Sequence, residues 1–305
     1  MLILGEQHKF SELELKTLEK KFTTIDFIKY KDIDSKEVIE HISSILIQRE
    51  KTLIVLNTKA LVPNELMSYL TKLEQEGIQY LSIQSFMEQH LSKCYISSEL
   101  TDISFLEKIQ PFSIFQYIQK RIIDYVGSIL LLFITFPIII YSLYRIKKDS
   151  IGSIFFKQPR IGIHGKTFTC IKFRSMYINS EHNPYTKKND KRIFPWGKIM
   201  RKMRIDELPQ ILNVLKGDMH FIGPRAEWNI LVEKYETKIP YYHERHIIKP
   251  GITGWAQVNY PYGENSFDAK QKLMYDLYYI KHWNLWLEIK TIWKTVMVIV
   301  SKKGI

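Results

Sequence analysis

The segment "RKMRIDELPQ", residues 201–210, sets two adjacent carboxylates, Asp206 and Glu207, directly behind the cations Arg201, Lys202 and Arg204. Paired carboxylates beside guanidinium groups can supply a nucleophile or oxygen ligands for a divalent cation. They can also simply start a helix, and the local pattern fits that plainer role. Leu208, Ile211, Leu212 and Leu215 follow at the spacing of one apolar helix face. Pro209 is tolerated only in a first helical turn, and Gly217 is a natural C-terminal cap. Asp206 is therefore expected as an N-cap, with Glu207 near the positive end of the helix dipole.

Three more stretches carry groups of the same chemistry. "FKQPRIGIHGKTFTCIKFRSMY" ends in an alternating strand with Lys172 and Arg174 on one face. "HFIGPRAEW" presents Arg225 directly after a Gly-Pro turn. "KPGITGWAQVNYPYG" is a glycine-punctuated loop holding Trp255, Gln257 and Asn259. Each alone is weak, because cations on strands are usually solvated and Gly-Pro turns usually only turn. Together they provide cations, a carboxylate pair and a helix N-terminus, which is what a pyrophosphate with Mg²⁺ would need.

The elements that must position these groups are legible in outline. The chain has 305 residues, 45% hydrophobic and 25% charged, enough for two domains. Residues 1–110 hold 13 Lys and Arg against 17 Asp and Glu, whereas the remainder holds 31 against 15. All the excess positive charge thus follows residue 110, where it suits anionic lipid or phosphorylated substrates. Neither zinc-finger spacing nor an RNA-binding aromatic motif is present, so no nucleic-acid partner is expected. The two cysteines, Cys94 and Cys170, make no disulfide framework. The start "MLILGEQHKF" has too short an apolar stretch and no cationic flank for a signal peptide.

Residues 125–144, "YVGSILLLFITFPIIIYSLY", carry no charge. Twenty residues of helix reach about 30 Å, the thickness of a bilayer core. Pro137 interrupts the run, and cations flank both sides: Lys120 and Arg121 before, Arg145, Lys147 and Lys148 after. A helix that enters, bends at Pro137 and returns to the same face satisfies both signals, and a kinked span is the competing form. In the C-terminal stretch, Leu285, Ile289, Ile292, Val296, Ile299 and Val300 recur at helical spacing. Lys290, Lys294, Trp283, Trp286 and Trp293 accompany them, as in an interfacial helix or a core helix.

Before the membrane segment, "LILG", "IDFIKY", "TLIVLNT" and "YLSIQSF" read as strands, alternating with amphipathic stretches at 36–49 and 64–76. This βα pattern predicts a small parallel-sheet module, residues 1–105, of Rossmann-like α/β type. It lacks a glycine-rich phosphate loop, which points to a non-catalytic binding or regulatory role. A linker over 106–117, a membrane helix over 118–148 and a catalytic domain over 149–305 complete the expected layout.

Residues from about 118 onward resemble the bacterial sugar transferase family, the monotopic phosphoglycosyl transferases. The likeness rests on "KRIIDY", "FKQPRIGIHGKTFTCIKFRSM", "RKMRIDELPQILNVLKGDM", "FIGPRAE" and "KPGITGWAQVNY". It implies a small membrane-associated α/β catalytic domain with a re-entrant helix and interfacial amphipathic helices, at the cytoplasmic face of the bacterial inner membrane. The implied reaction moves a sugar-1-phosphate from a UDP-sugar to undecaprenyl phosphate, releases UMP and uses Mg²⁺. The stretch after "KPGITGWAQ" is similar to members that begin exopolysaccharide or capsule synthesis. Carried across, Asp206 matches the nucleophile and Glu207 its partner, with both as metal ligands. Arg201, Arg204, Arg225, Lys172 and Arg174 match phosphate-binding positions, while Gln257, Asn259 and Asp276 fall where the nucleotide sugar binds. Phe136-Pro137 stands where the family often has Ser-Pro at the membrane bend, and Ala226 stands where Pro often follows Gly-Pro-Arg. A homodimer and downstream glycosyltransferases are further candidate partners. An inactive membrane-anchored scaffold is the alternative function.

Overall fold

The computed structural model describes residues 1–29, 34–47, 52–58, 62–97, 109–178, 180, 190–261, 263 and 265–301. It divides into two compact units, Met1–Tyr95 and Ile96–Ile305. The boundary expected at residue 105 and the first linker residues, 106–108, lie outside the described residues.

In the first unit the four expected strand stretches are strands: β1 (Leu2–Leu4), β2 (Asp26–Ile28), β3 (Ile54–Leu56) and β4 (Tyr80–Ser82). They form one parallel sheet in the order β2-β1-β3-β4, with helices α1 (Glu12–Glu19), α2 (Ser35–Ile47) and α3 (Asn64–Gln75) between successive strands. Leu2, Leu4 and Ile54 pack on Val38 and Ile42 of α2 and on Leu66 and Leu70 of α3. Residues on neighbouring helical turns bring these side chains to one stripe, and each fully buried one contributes about 1.5–3 kcal/mol. A short helix, α4 (Ile83–Phe86), and a π turn, Met87–Leu91, close the unit. Beneath α1, the carboxylate of Glu14 pairs with Lys93 and His8, all three nearly closed off from solvent. Burial pushes its pKa upward, but His8 and Lys93 outweigh that and hold it at about 2.

The second unit is built on α5 (Ile114–Asp149), a 36-residue helix that begins earlier than expected, at a capping box between Ser113 and Gln116. It is the one helix among the described residues long and apolar enough to cross a membrane. At 1.5 Å per residue it is about 54 Å long. The helix continues through Pro137, and the Thr135 hydroxyl donates to the Leu131 carbonyl one turn back. The apolar side chains of its middle, such as Phe133 and Ile134, are exposed.

Both ends of α5 are held by the rest of this unit. At the start, Lys120 is fully buried, its Nζ donating to the Ile222 carbonyl at 2.7 Å and to Glu288 at 2.8 Å. One turn later, buried Asp124 accepts from the Phe221 N–H and from His220, each at 2.7 Å. Lys120 is therefore not a headgroup-facing flank cation, because its charge is spent on an internal ion pair. At the far end, Ile146 packs with Phe173, Phe194, Met200 and Ile205. There Asp149 also accepts the Trp196 N–H.

β5 (Phe155–Ile161) and β6 (Thr167–Phe173) form an antiparallel hairpin. α6 (Pro195–Lys202), a 3₁₀ turn at Ile205–Gln210 and α7 (Ile211–Lys216) follow. β7 (His220–Ile222) then pairs in parallel with β8 (Gly251–Thr253), with α8 (Asn229–Glu236) and a 3₁₀ turn, Tyr242–His246, in the connection. α9 (Trp255–Asn259), α10 (Ser266–Lys281) and α11 (Leu285–Val300) complete the chain. The predicted apolar face of α11 is exposed, including Trp286, Ile289 and Trp293. Trp283 departs from that expectation: it is buried, and its indole N–H donates to Glu288.

Candidate active site

The dyad does not sit at a helix N-cap. Arg204 occupies that position with φ 56° in the left-handed region, and Ile205–Gln210 is a 3₁₀ turn ahead of α7. Pro209 lies inside this turn, while Gly217 caps α7 as expected, at φ 96°. A left-handed arginine is uncommon and costs on the order of 1 kcal/mol. Here it redirects the chain after α6 so that the turn packs along β6.

The packing gives Glu207 three cations. Lys172, from β6, lies 3.0 Å from its carboxylate, Arg225 lies 3.5 Å away and Arg204 3.6 Å. Glu207 is buried, which by itself would raise its pKa, but Lys172, Arg225 and Arg204 overcome this and hold it well below the carboxylate range. Asp206, half-buried beside it, moves the other way. Burial and the negative charge of Glu207 raise it, against Lys172 and Arg201. Arg204, matched to a phosphate-binding position, here pairs with Glu207. The outcome is one fully neutralised carboxylate next to one whose charge is under-compensated.

The Arg225 loop is placed by close contact between glycine backbones. A Cβ on Gly251 would lie 2.0 Å from the Gly223 nitrogen, and one on Gly254 would lie 2.1 Å from the Gly223 carbonyl. Larger residues would force apart the two segments that carry Arg225 and Gln257. Arg245 adds a clamp: its guanidinium donates to the Arg225 carbonyl at 3.0 Å and pairs with Asp276 at 2.7 Å.

These elements enclose a cavity of about 560 Å³ lined by Lys172, Arg174, Arg201, Arg204, Asp206, Glu207, Arg225, Gln257 and Asp276. Nine of the expected site residues therefore converge, though not all with free groups. The Arg174 guanidinium donates to the Ser150 and Ile151 carbonyls and the Ser150 hydroxyl, so it caps the end of α5 instead of waiting for a phosphate. Asp276 is almost fully buried behind Arg245, and burial, with the charge of Glu227 adding, pushes it up to about 6. It positions Arg245. Asn259 is not in the cavity wall; its side-chain Oδ1 accepts from Lys294 of α11 and its Nδ2 donates to the Trp255 backbone carbonyl. Pro137 lies apart, in α5.

The cavity also contains Arg160, Glu227, Arg245 and Lys272, which sequence reasoning did not select. Arg160 and Glu227 sat inside the quoted stretches, flanked by the same turns. Arg245 and Lys272 have no local signal, since only long-range folding brings them in.

Oxygen donors on adjacent residues, one of them under-compensated, suit a hard divalent cation such as Mg²⁺. A cavity with a carboxylate pair and a cationic wall can bind a phosphorylated substrate and stabilise charge on a transferring phosphoryl group.

The chain is similar to several known proteins. The chain is 40% identical over 201 residues to the UDP-N-acetylgalactosamine-undecaprenyl-phosphate N-acetylgalactosaminephosphotransferase of Aeromonas hydrophila, covering 65% of this chain and 47% of that protein. It is 38% identical over 202 residues to the undecaprenyl-phosphate galactose phosphotransferase of Salmonella typhimurium, covering 61% and 41%. An uncharacterised sugar transferase of Bacillus subtilis is 38% identical over 192 residues, 62% of this chain and 90% of that protein. The chain thus spans less than half the length of the first two. The family model for bacterial sugar transferases matches residues 115–302, more than half of the sequence. On that match, the chain belongs to the bacterial sugar transferase family.

Proposed function

We propose that this chain is a phosphoglycosyl transferase that moves a sugar-1-phosphate from a UDP-sugar to undecaprenyl phosphate. The observation that carries this reading is the convergence of Asp206 and Glu207 with Lys172, Arg201, Arg204 and Arg225 on one cavity. A carboxylate oxygen of Asp206 attacks the phosphorus bonded to the sugar, and the bond from that phosphorus to the UMP oxygen breaks. UMP leaves, and an aspartyl phosphosugar remains on the protein. An oxygen of the lipid phosphate then attacks the same phosphorus, and the bond to Asp206 breaks. Joining two anions is opposed by like-charge repulsion, and Arg201 and Arg225 reduce it by pairing with phosphate oxygens. Glu207, gripped by three cations, keeps those cations and its neighbour in register. Asp206 and Glu207 would hold Mg²⁺, which when bound supplies further neutralisation of phosphate oxygens.

The setting proposed is the cytoplasmic face of the bacterial inner membrane, with α5 re-entrant. Support comes from its two anchored ends. Lys120 and Asp124 are tied into β7 and α11, while Ile146 and Asp149 pack with α6 and the dyad turn. A straight span would carry those polar, folded partners to opposite sides of the bilayer, which lipid does not allow. Cysteines placed at Ile114 and Ile151, both exposed, should therefore both resist an impermeant thiol reagent in intact cells. Cys94 and Cys170 are buried, so background labelling is low. Labelling of one site and protection of the other would end the re-entrant reading.

The Aeromonas and Salmonella relatives are named for different sugars, so the functional test is a panel. Purified protein in detergent, with Mg²⁺, undecaprenyl phosphate and a range of UDP-sugars, should release UMP with at least one of them. No release with any sugar would favour a scaffold that recruits other glycan-assembly enzymes.

A further inference from the structure

Outside the cavity, Glu236, His243 and His246 bring three metal-ligating side chains together, their donor atoms all within 4.8 Å of one another. Glu236 is the last residue of α8, and both histidines lie on the 3₁₀ turn Tyr242–His246. Residues three apart eclipse on a 3₁₀ helix, so the turn itself directs the two imidazoles to one side. Glu236 Oε1 lies 3.0 Å from His243 Nδ1 and 3.9 Å from His246 Nδ1. Ligands around a tetrahedral Zn²⁺ stand about 3.3 Å apart, given metal–ligand bonds near 2.0–2.2 Å. The two edges from Glu236, 3.0 and 3.9 Å, bracket that value.

A surface ion pair accounts for Glu236 and His243 but leaves His246 unexplained. Its side chain is 7% exposed, and its Nδ1, facing Glu236, is buried with no hydrogen-bond partner. Such an orphaned buried nitrogen is costly unless something fills the position. We propose that Glu236, His243 and His246 form a binding site for a late first-row divalent cation, Zn²⁺ by its chemistry, with water as the fourth ligand. Two imidazoles and one carboxylate match Zn²⁺ and disfavour Mg²⁺, which prefers an all-oxygen shell. The ion would pin the turn to the end of α8. That turn carries Arg245, which grips the Arg225 carbonyl, so the site braces the cationic wall from outside.

Co²⁺ is the probe, added to the full-length chain in detergent with Mg²⁺ in excess. A 1:1 complex with the intense visible bands of tetrahedral nitrogen-containing coordination is expected, displaced by Zn²⁺, and Zn²⁺ should raise the melting temperature. Glu236→Gln and His243→Ala alter partly exposed side chains, so both variants should fold, and each should weaken Co²⁺ binding more than tenfold. Loss of binding in these variants with an unchanged melting temperature of the metal-free protein supports the site. Only weak octahedral bands, or a complex undiminished in both variants, would overturn it.

Discussion

Asp206→Asn is expected to lower transferase activity by at least about three orders of magnitude while leaving the fold intact. The geometry sharpens this test. Because Arg204, not Asp206, holds the cap position of the dyad turn, no capping energy is at stake at residue 206. Asparagine has nearly the same shape, and it removes a half-buried charge that Glu207 opposes. The variant's melting temperature should therefore equal or exceed that of the parent. A large loss of rate with no loss of stability assigns the ionised oxygen to chemistry. Initial rates of the parent should give parallel double-reciprocal lines as each substrate is varied. Given UDP-sugar without lipid, the parent should also gain one sugar phosphate on the peptide containing Asp206. An active Asp206→Asn protein, or intersecting lines with no adduct, would remove Asp206 as nucleophile and leave it a neighbour of the true one.

What the sequence disclosed, and what it hid, follows the range of the interactions involved. Short apolar runs alternating with amphipathic stretches announced β1 to β4, because such a strand is written in consecutive residues, and all three residues of β1 are buried. Gly217 announced its left-handed cap for the same local reason. The dyad, Lys172 and Arg225 were found from separate stretches because each carried its own turn or pattern. No helix starts at Asp206, because residue type alone does not place a side-chain cap. The left-handed Arg204, which nothing in its neighbourhood requires, sets the turn. The family resemblance points Arg174 and Asn259 toward substrate, yet Arg174 meets carbonyls at the end of α5 and Asn259 meets Lys294. Those partners lie more than twenty residues away, and no spacing rule encodes them. Arg245 stayed hidden for the converse reason: "YYHERH" reads as an ordinary polar turn until folding sets it behind Arg225.

The second large effect lies at Lys120, the flank cation that folding turned inward. Its ammonium is the only charge of opposite sign within ion-pair reach of Glu288 among the described residues, and both groups are essentially sealed from water. Tyr279 and Trp283 also donate to Glu288, but they are neutral. Lys120→Met keeps much of the aliphatic length and strands a buried carboxylate, which typically costs about 3–5 kcal/mol. For a unit of this size the melting temperature should fall by roughly 10 °C. Adding Glu288→Gln removes the stranded charge while leaving an acceptor for Tyr279 and Trp283, so the double variant should recover most of the loss. The catalytic consequence separates packing from positioning. Lys120 also holds the Ile222 carbonyl, one residue before the Gly223 contact that sets the Arg225 loop. The double variant should therefore regain stability yet remain impaired in UMP release, because its methionine cannot donate to the Ile222 carbonyl. Full recovery of both would confine Lys120 to stability, and no loss of stability in the single variant would show that the buried pair is not what fastens α5 to this unit.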